Sequence, residues 1–341
     1  MQKVRILKVL AVMGIMLLLL PTNLMAERIP VAILRTNADG KTKTLTFTYA
    51  ERPKVFARRG QNGIHRLNKG MFKDEAEHYK NFYIWEDQPT WLDMKSCCDL
   101  NYVNNDKITT VKFDKSFSMA RPTSTFYWFW GLRKLKTIIG IENLNTSEVK
   151  YMNSMFSECC SLTELDVSGF NTANVENMGG MFEGCSQLKT IDVSGFNTAN
   201  VPTMYCMFRG CHNLKSIDIS SFNIGKLVSK VYGINDIWNE EEKRELLHQW
   251  VDDILSGCSN LRTLNIGGND FSIFTTYNAD IPGDVFKGVG TIDSPCRLIV
   301  NQQFDQSVLG PKHDNGNGGF YRWLNGYFTL DTARPESETN Y

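Results

Sequence analysis

The chain has 341 residues, 42% of them hydrophobic, with 37 Lys plus Arg against 37 Asp plus Glu. That length and apolar content are enough for a large core and exclude general disorder. The charge balance leaves no footprint for non-specific nucleic-acid binding, so no nucleic-acid partner is expected.

Residues 1–26 read as a secretory signal peptide. Lys3, Arg5 and Lys8 form a positive start, Val9 to Leu20 is an apolar run of the right length, and Leu24-Met25-Ala26 offers a cleavage site before Glu27. An uncleaved membrane anchor is the rival reading, but this run is short of the about 20 residues a span needs. Cleavage removes three cations and no carboxylate, which leaves the mature chain slightly acidic. Lipidation would need a Cys at the new terminus, where Glu27 stands. No later apolar stretch is long enough for a transmembrane segment in the mature chain. The expected location is therefore secreted, cell-surface or periplasmic.

Residues 27–104 show no repeat. Val31 to Leu34 and Thr44 to Tyr49 read as strands around Asn37-Ala38-Asp39-Gly40, whose Asp-Gly favours a hairpin turn. This β-rich segment is expected to cap whatever follows it, with a separate small binding domain as the alternative.

From residue 105 to about 300 the chain repeats. Residues 162–187 read LTELDVSGFNTANVENMGGMFEGCSQ and residues 188–213 read LKTIDVSGFNTANVPTMYCMFRGCHN, a period of 26 that reopens at Leu214. Weaker copies open at Leu135, Ile108, Leu261 and Leu298, giving about seven strands. In each unit, as in Leu188-x-x-Ile191-x-Val193, the L-x-x-L-x-L spacing is that of a leucine-rich repeat strand with alternate residues turned inward. Met204, Met207 and Phe208 fall at i, i+3 and i+4, which predicts a short helix ended by Gly210. One unit cannot bury so many apolar groups, whereas stacked units can. The expected fold is thus an α/β repeat: a leucine-rich-repeat solenoid of short parallel strands and short helices, capped at both ends.

The unit at Leu214 is longer than its neighbours, with an insertion over 228–250. Asn239 followed by Glu240, Glu241 and Glu242 predicts a helix start, and Leu247, Trp250, Val251 and Ile254 on one face extend that helix to about residue 256. It is expected to pack on the stack; the alternative is a protrusion that docks a partner through Trp238. Residues 301–341 close the other end, with Gly316, Gly318 and Gly319 in a loop and a polar tail from Thr332.

The unit pattern L-x-x-[LI]-D-V-S-x-F-N-T-x-N-V-x-x-M-x-x-M-F-x-x-C resembles the repeat of BspA-like leucine-rich-repeat surface proteins of bacteria. Phe113-Asp114-Lys115-Ser116-Phe117 with Ala120 to Thr125 is similar to that family's lead-in, and Tyr327-Phe328-Thr329-Leu330 to its closing segment. The resemblance spans about residues 105–330. It implies a secreted or surface solenoid with a role in adhesion.

Nine cysteines in an exported chain raise the prospect of a disulfide framework. Cys159, Cys185, Cys211 and Cys258 each precede a repeat Leu by three, however, and should stack as buried free thiols with poor bridging geometry. Neither C-x-x-C pairs nor a His metal spacing occurs, so no cofactor or metal is expected. No nucleophile elbow or phosphate loop appears either. The expected function is recognition of a protein or glycan without catalysis, with an envelope scaffold as the alternative. The candidate surface is the outward side of the strands, where Asp166, Asp192, Asp218 and Asn265 form one row and Lys189, Lys215 and Arg262 another. Stacked like charges repel, which predicts compensation by the Lys row, a cation or a ligand. The Asn column (Asn145, Asn171, Asn197, Asn223) is expected to hydrogen bond backbone groups between units.

Overall fold

A computed structural model describes residues 28–51, 64–66, 83–86, 107–223, 253–267, 269, 285–302 and 304–332. The signal segment, Trp238 with the whole of the 228–250 insertion, Cys97-Cys98 and the tail beyond Thr332 lie outside the described residues.

The strands are β1 (Arg28–Thr36), β2 (Lys43–Glu51), β3 (Ile64–Arg66), β4 (Tyr83–Glu86), β5 (Ile108–Phe113), β6 (Thr137–Ile139), β7 (Ser216–Asp218), β8 (Thr263–Gly267), β9 (Cys296–Val300), β10 (Lys312–His313), β11 (Phe320–Trp323) and β12 (Gly326–Thr332). They form two six-stranded sheets, ordered β3-β4-β1-β2-β5-β6 and β10-β11-β12-β9-β8-β7. Between β6 and β7 two further units continue the ladder through single contacts, with Glu164 bridged to Thr190 in parallel. Lys189 N–H donates to Thr163 O and Lys215 N–H to Lys189 O, so the register is kept from one 26-residue unit to the next.

β1 and β2 are antiparallel with Thr36 opposite Lys43. Their turn is closed by Asp39 Oδ1, which accepts from the N–H groups of Lys41 and Thr42 at 2.8 Å. β2 then lies parallel to β5, so the N-terminal hairpin continues the sheet that the repeats extend. Phe47 of β2 stacks on Phe113 at 4.8 Å between ring centres and on Trp128 at 5.4 Å. At the other end β12 runs parallel to β9.

The core is built of columns, because each unit places the same side chain over that of the next. Leu135, Leu162, Leu188, Leu214 and Leu261 are fully buried. Phe129, Phe156, Phe182 and Phe208 stack successively at 5.3, 5.7 and 5.3 Å. Each buried Phe contributes on the order of 2 kcal/mol of apolar transfer, available only when the neighbouring unit is in place.

The short helix predicted over Met204, Met207 and Phe208 is instead a run of turns, as is the predicted helix end over residues 253–256. Cys206 (φ 53°) and Gly210 (φ 72°) are left-handed, which breaks any α-helix at every fourth residue. The backbone divides its hydrogen bonds. Phe208 N–H donates to Ile254 O and Gly210 N–H to Ser256 O of the next unit, while Met207 and Arg209 bond three residues back. An α-helix would keep all these donors inside the segment; alternating turns release half of them to join the units. The spacing i, i+3, i+4 also fits such a turn run, so periodicity alone could not separate the two. A further turn segment over residues 285–290, with Phe286 and Val289 fully buried, extends the stack where the sequence shows only Val285-Phe286 and a glycine.

Candidate functional site

The strand side carries two straight rows of charge. Lys189, Lys215 and Arg262 occupy the position after the first inward residue and are exposed, as is Lys136 two units upstream of Lys189. Asp166 and Asp192 are exposed three positions further on, with Asp218 and Asn265 half-buried in the same row. Register places Asp218 opposite Asn265 and Ser216 opposite Thr263. Strand geometry sets neighbouring members of a row about 4.8 Å apart and the two rows about 10 Å apart.

Compensation of the Asp row differs from what the sequence suggested. Asp166 Oδ1 accepts from Ser168 N–H at 3.0 Å and Ser168 Oγ–H at 2.7 Å. Asp192 Oδ1 does the same with Ser194. Asp218 Oδ1 accepts from Ser220 N–H at 2.9 Å, and its Oδ2 accepts from Asn265 Nδ2 at 2.8 Å. These carboxylates close the turn that follows each strand, and the serine hydroxyls, aided by the backbone N–H groups, hold Asp166 and Asp192 below the usual carboxylate range. Among the described residues, no ion pair within 4 Å links the Lys row to the Asp row. No group of three or more His, Cys, Asp or Glu among them is arranged to hold a metal ion.

The opposite, turn side behaves differently, because its charges are paired across units. Arg133 meets Glu158 at 3.2 Å, Lys150 meets Glu176 at 3.2 Å, and Arg209 meets Asp253 at 3.5 Å. Tyr151 and Tyr205 are its most exposed aromatics, at 37% each. Tyr205 lies with its ring against Gly179, where any larger residue would displace it.

The cysteine column consists of buried free thiols, as its spacing predicts, whereas the Asn column does not make the expected bonds between units. The Asn column makes local turns: the Oδ1 atoms of Asn145, Asn171 and Asn197 accept from the N–H two residues on, at 2.9–3.0 Å. Bonds between units come from the next residue, Thr. Buried Thr172 accepts from Asn197 N–H at 2.7 Å and donates to Asn197 O at 3.2 Å, and Thr146 does the same with Asn171. Asn174 and Asn200 add Nδ2 bonds to Ser147 O and Ala173 O. The cysteines of the column are free. Cys159, Cys185, Cys211 and Cys258 each donate a thiol hydrogen to a Phe carbonyl one unit back, at 3.2 Å. Burial pushes all four thiols up, Cys258 to about 12, so they stay protonated and unreactive.

No helix among the described residues is long and apolar enough to cross a membrane. Comparison with known proteins finds no matching curated protein and no matching solved structure. Residues 123–250 match a family described as "Mycoplasma protein of unknown function, DUF285".

Proposed function

We propose that this chain is an exported leucine-rich-repeat protein, of the BspA-like kind, that recognises a protein or glycan through the strand face and carries out no chemistry. The observation that carries the proposal is the contrast between the two sides. On the turn side neighbouring units neutralise one another through ion pairs, whereas on the strand side the Lys189, Lys215 and Arg262 row is not paired with the Asp row, and an ion pair between strands occurs only further along, between Arg297 and Asp331. A stack that used this side only for stability would gain from pairing the rows. The positive start and apolar run of residues 1–26 support export.

The test is binding of residues 27–341 to a panel of extracellular matrix proteins and glycans, alongside an Asp192→Lys variant shown to be folded by circular dichroism. Binding by the parent chain and its loss in the variant is the expected result. Turnover of a substrate by the purified chain, abolished by one substitution, would overturn the proposal.

A further inference from the structure

Between residues 136 and 265 the strand face carries as many anionic as cationic side chains, flanked by Lys112 on one side and by the Arg297–Asp331 ion pair on the other. Lys136, Lys189, Lys215 and Arg262 stand against Glu164, Asp166, Asp192 and Asp218. A uniformly charged polymer laid along the stack would be attracted by one row and repelled by the other. What fits two parallel rows of opposite sign is a surface carrying the same rows exchanged.

We infer that the partner of the strand face is a second copy of this chain, joined by a two-fold axis parallel to the stacking direction. This rests on the reading of the strand face as the recognition surface. Such an axis exchanges left and right across the face while keeping each unit opposite itself. Lys189 then meets the second copy's Asp192, and Lys215 its Asp218. Thr163 meets Asp166 and Arg262 meets Asn265, which are hydrogen-bonding pairs. Each contact occurs twice. A two-fold axis across the stack would instead set Lys on Lys. The regular register makes the match hold along the rows: Lys189 N–H donates to Thr163 O, Lys215 N–H to Lys189 O and Arg262 N–H to Lys215 O. The Ser bonds to Asp166 and Asp192 use Oδ1, which leaves Oδ2 of each to accept from an incoming ammonium. A footprint about 30 Å long and about 13 Å wide falls well short of the about 800 Å² per partner of a standard interface. The pair is therefore weak, electrostatic and formed at high local concentration, as on a crowded surface.

The experiment is sedimentation velocity of residues 27–341 over a concentration series, at low salt and at about 1 M salt, where the screening length is about 3 Å. Two charge-reversed variants accompany it, Lys189→Asp with Lys215→Asp, and Asp192→Lys with Asp218→Lys. A neutral variant, Asp192→Asn with Asp218→Asn, keeps the turn closure, since Asn265 accepts from Gly267 N–H at the same position. The expected results are a concentration-dependent dimer lost at high salt, and a dissociation constant raised about tenfold or more in each reversed variant. An equimolar mixture of the two reversed variants should recover the dimer, because at residues 189, 192, 215 and 218 one then presents only anions and the other only cations. Lesser weakening is expected in the neutral variant. A chain monomeric at all concentrations overturns the inference, and so does a dimer indifferent to every variant. Binding of heparin, used as the probe of a linear anionic glycan, by a chain that stays monomeric also overturns it and leaves the face to a polymer. If the chain is monomeric yet loses panel binding in Asp192→Lys, only the second copy is removed and the recognition surface stands.

Discussion

Thr172 sits 2% exposed between two units and serves both as donor and acceptor to the Asn197 backbone. Thr172→Val keeps the shape and orphans that N–H, which predicts a loss of about 1–3 kcal/mol. Thr172→Ser keeps both bonds and should cost markedly less. Denaturant titration of the two variants checks this, and equal losses would show that packing, not the hydroxyl, matters there. The cysteine column makes a second prediction at this scale. A thiol neutral in the folded state ionises above about 8.5 when unfolded, so the folded chain binds more protons there and stability falls as pH rises. The loss should accumulate from about pH 8.5 towards the value of about 12 held by Cys258, read as a falling melting temperature. A melting temperature flat from pH 8 to 10 would contradict buried neutral thiols. Residue roles were only partly legible in the sequence. The N-T-x-N run displays three polar side chains that could reach a neighbouring unit, and which oxygen points along the stack is decided by turn geometry. The serine closure of the Asp row was hidden for the same reason, although Asp-x-Ser two residues apart is the signal that shows it.

At the scale of the element, the turn run depends on left-handed residues. Gly131, Gly184, Gly210, Gly257 and Gly288 hold one such position, and Glu158 holds it with φ 62°. Gly210→Ala would meet nothing closer than 3.7 Å, so it should cost only the conformational term of about 1–2 kcal/mol. Gly290→Ala would also press on backbone, with Cys296 N at 2.7 Å and Tyr327 O nearer still. Backbone cannot swing aside, so this variant should lose a further 1–3 kcal/mol, roughly. Urea unfolding of the pair tests the ordering, and equal losses would count against the close approach of residue 290 to β9. Glycine after the Met-Phe pair was visible in the sequence as a helix stop. Its role as one beat of an alternating turn was not, because hydrophobic spacing reports which side chains are inward and not where the N–H groups go.

Across the whole molecule, the 26-residue period of the sequence reappears as a 26-residue spacing of backbone hydrogen bonds, buried Leu and stacked Phe, and this much was open to direct reading. The continuation of the sheet from β5 onto the N-terminal hairpin was less accessible, since β2 and β5 are separated by a long segment without repeat. That junction predicts a clear outcome. Phe47 contacts Phe113, Phe117, Trp128 and Phe129, so Phe47→Ala should cost about 3–5 kcal/mol. Removing everything before residue 107 should expose the β5 edge and that cluster, and cause aggregation seen by light scattering. A monomeric, fully folded fragment would mean that the hairpin is an independent unit.

The reading of the strand face as the recognition surface is tested most directly by comparing two single charge reversals for binding to the matrix-protein and glycan panel. Lys189→Asp alters the strand side, and Glu176→Lys alters the turn side. Loss of binding in the first with retention in the second is the predicted result. Retention in the first with loss in the second would contradict the account and move recognition to the turn side.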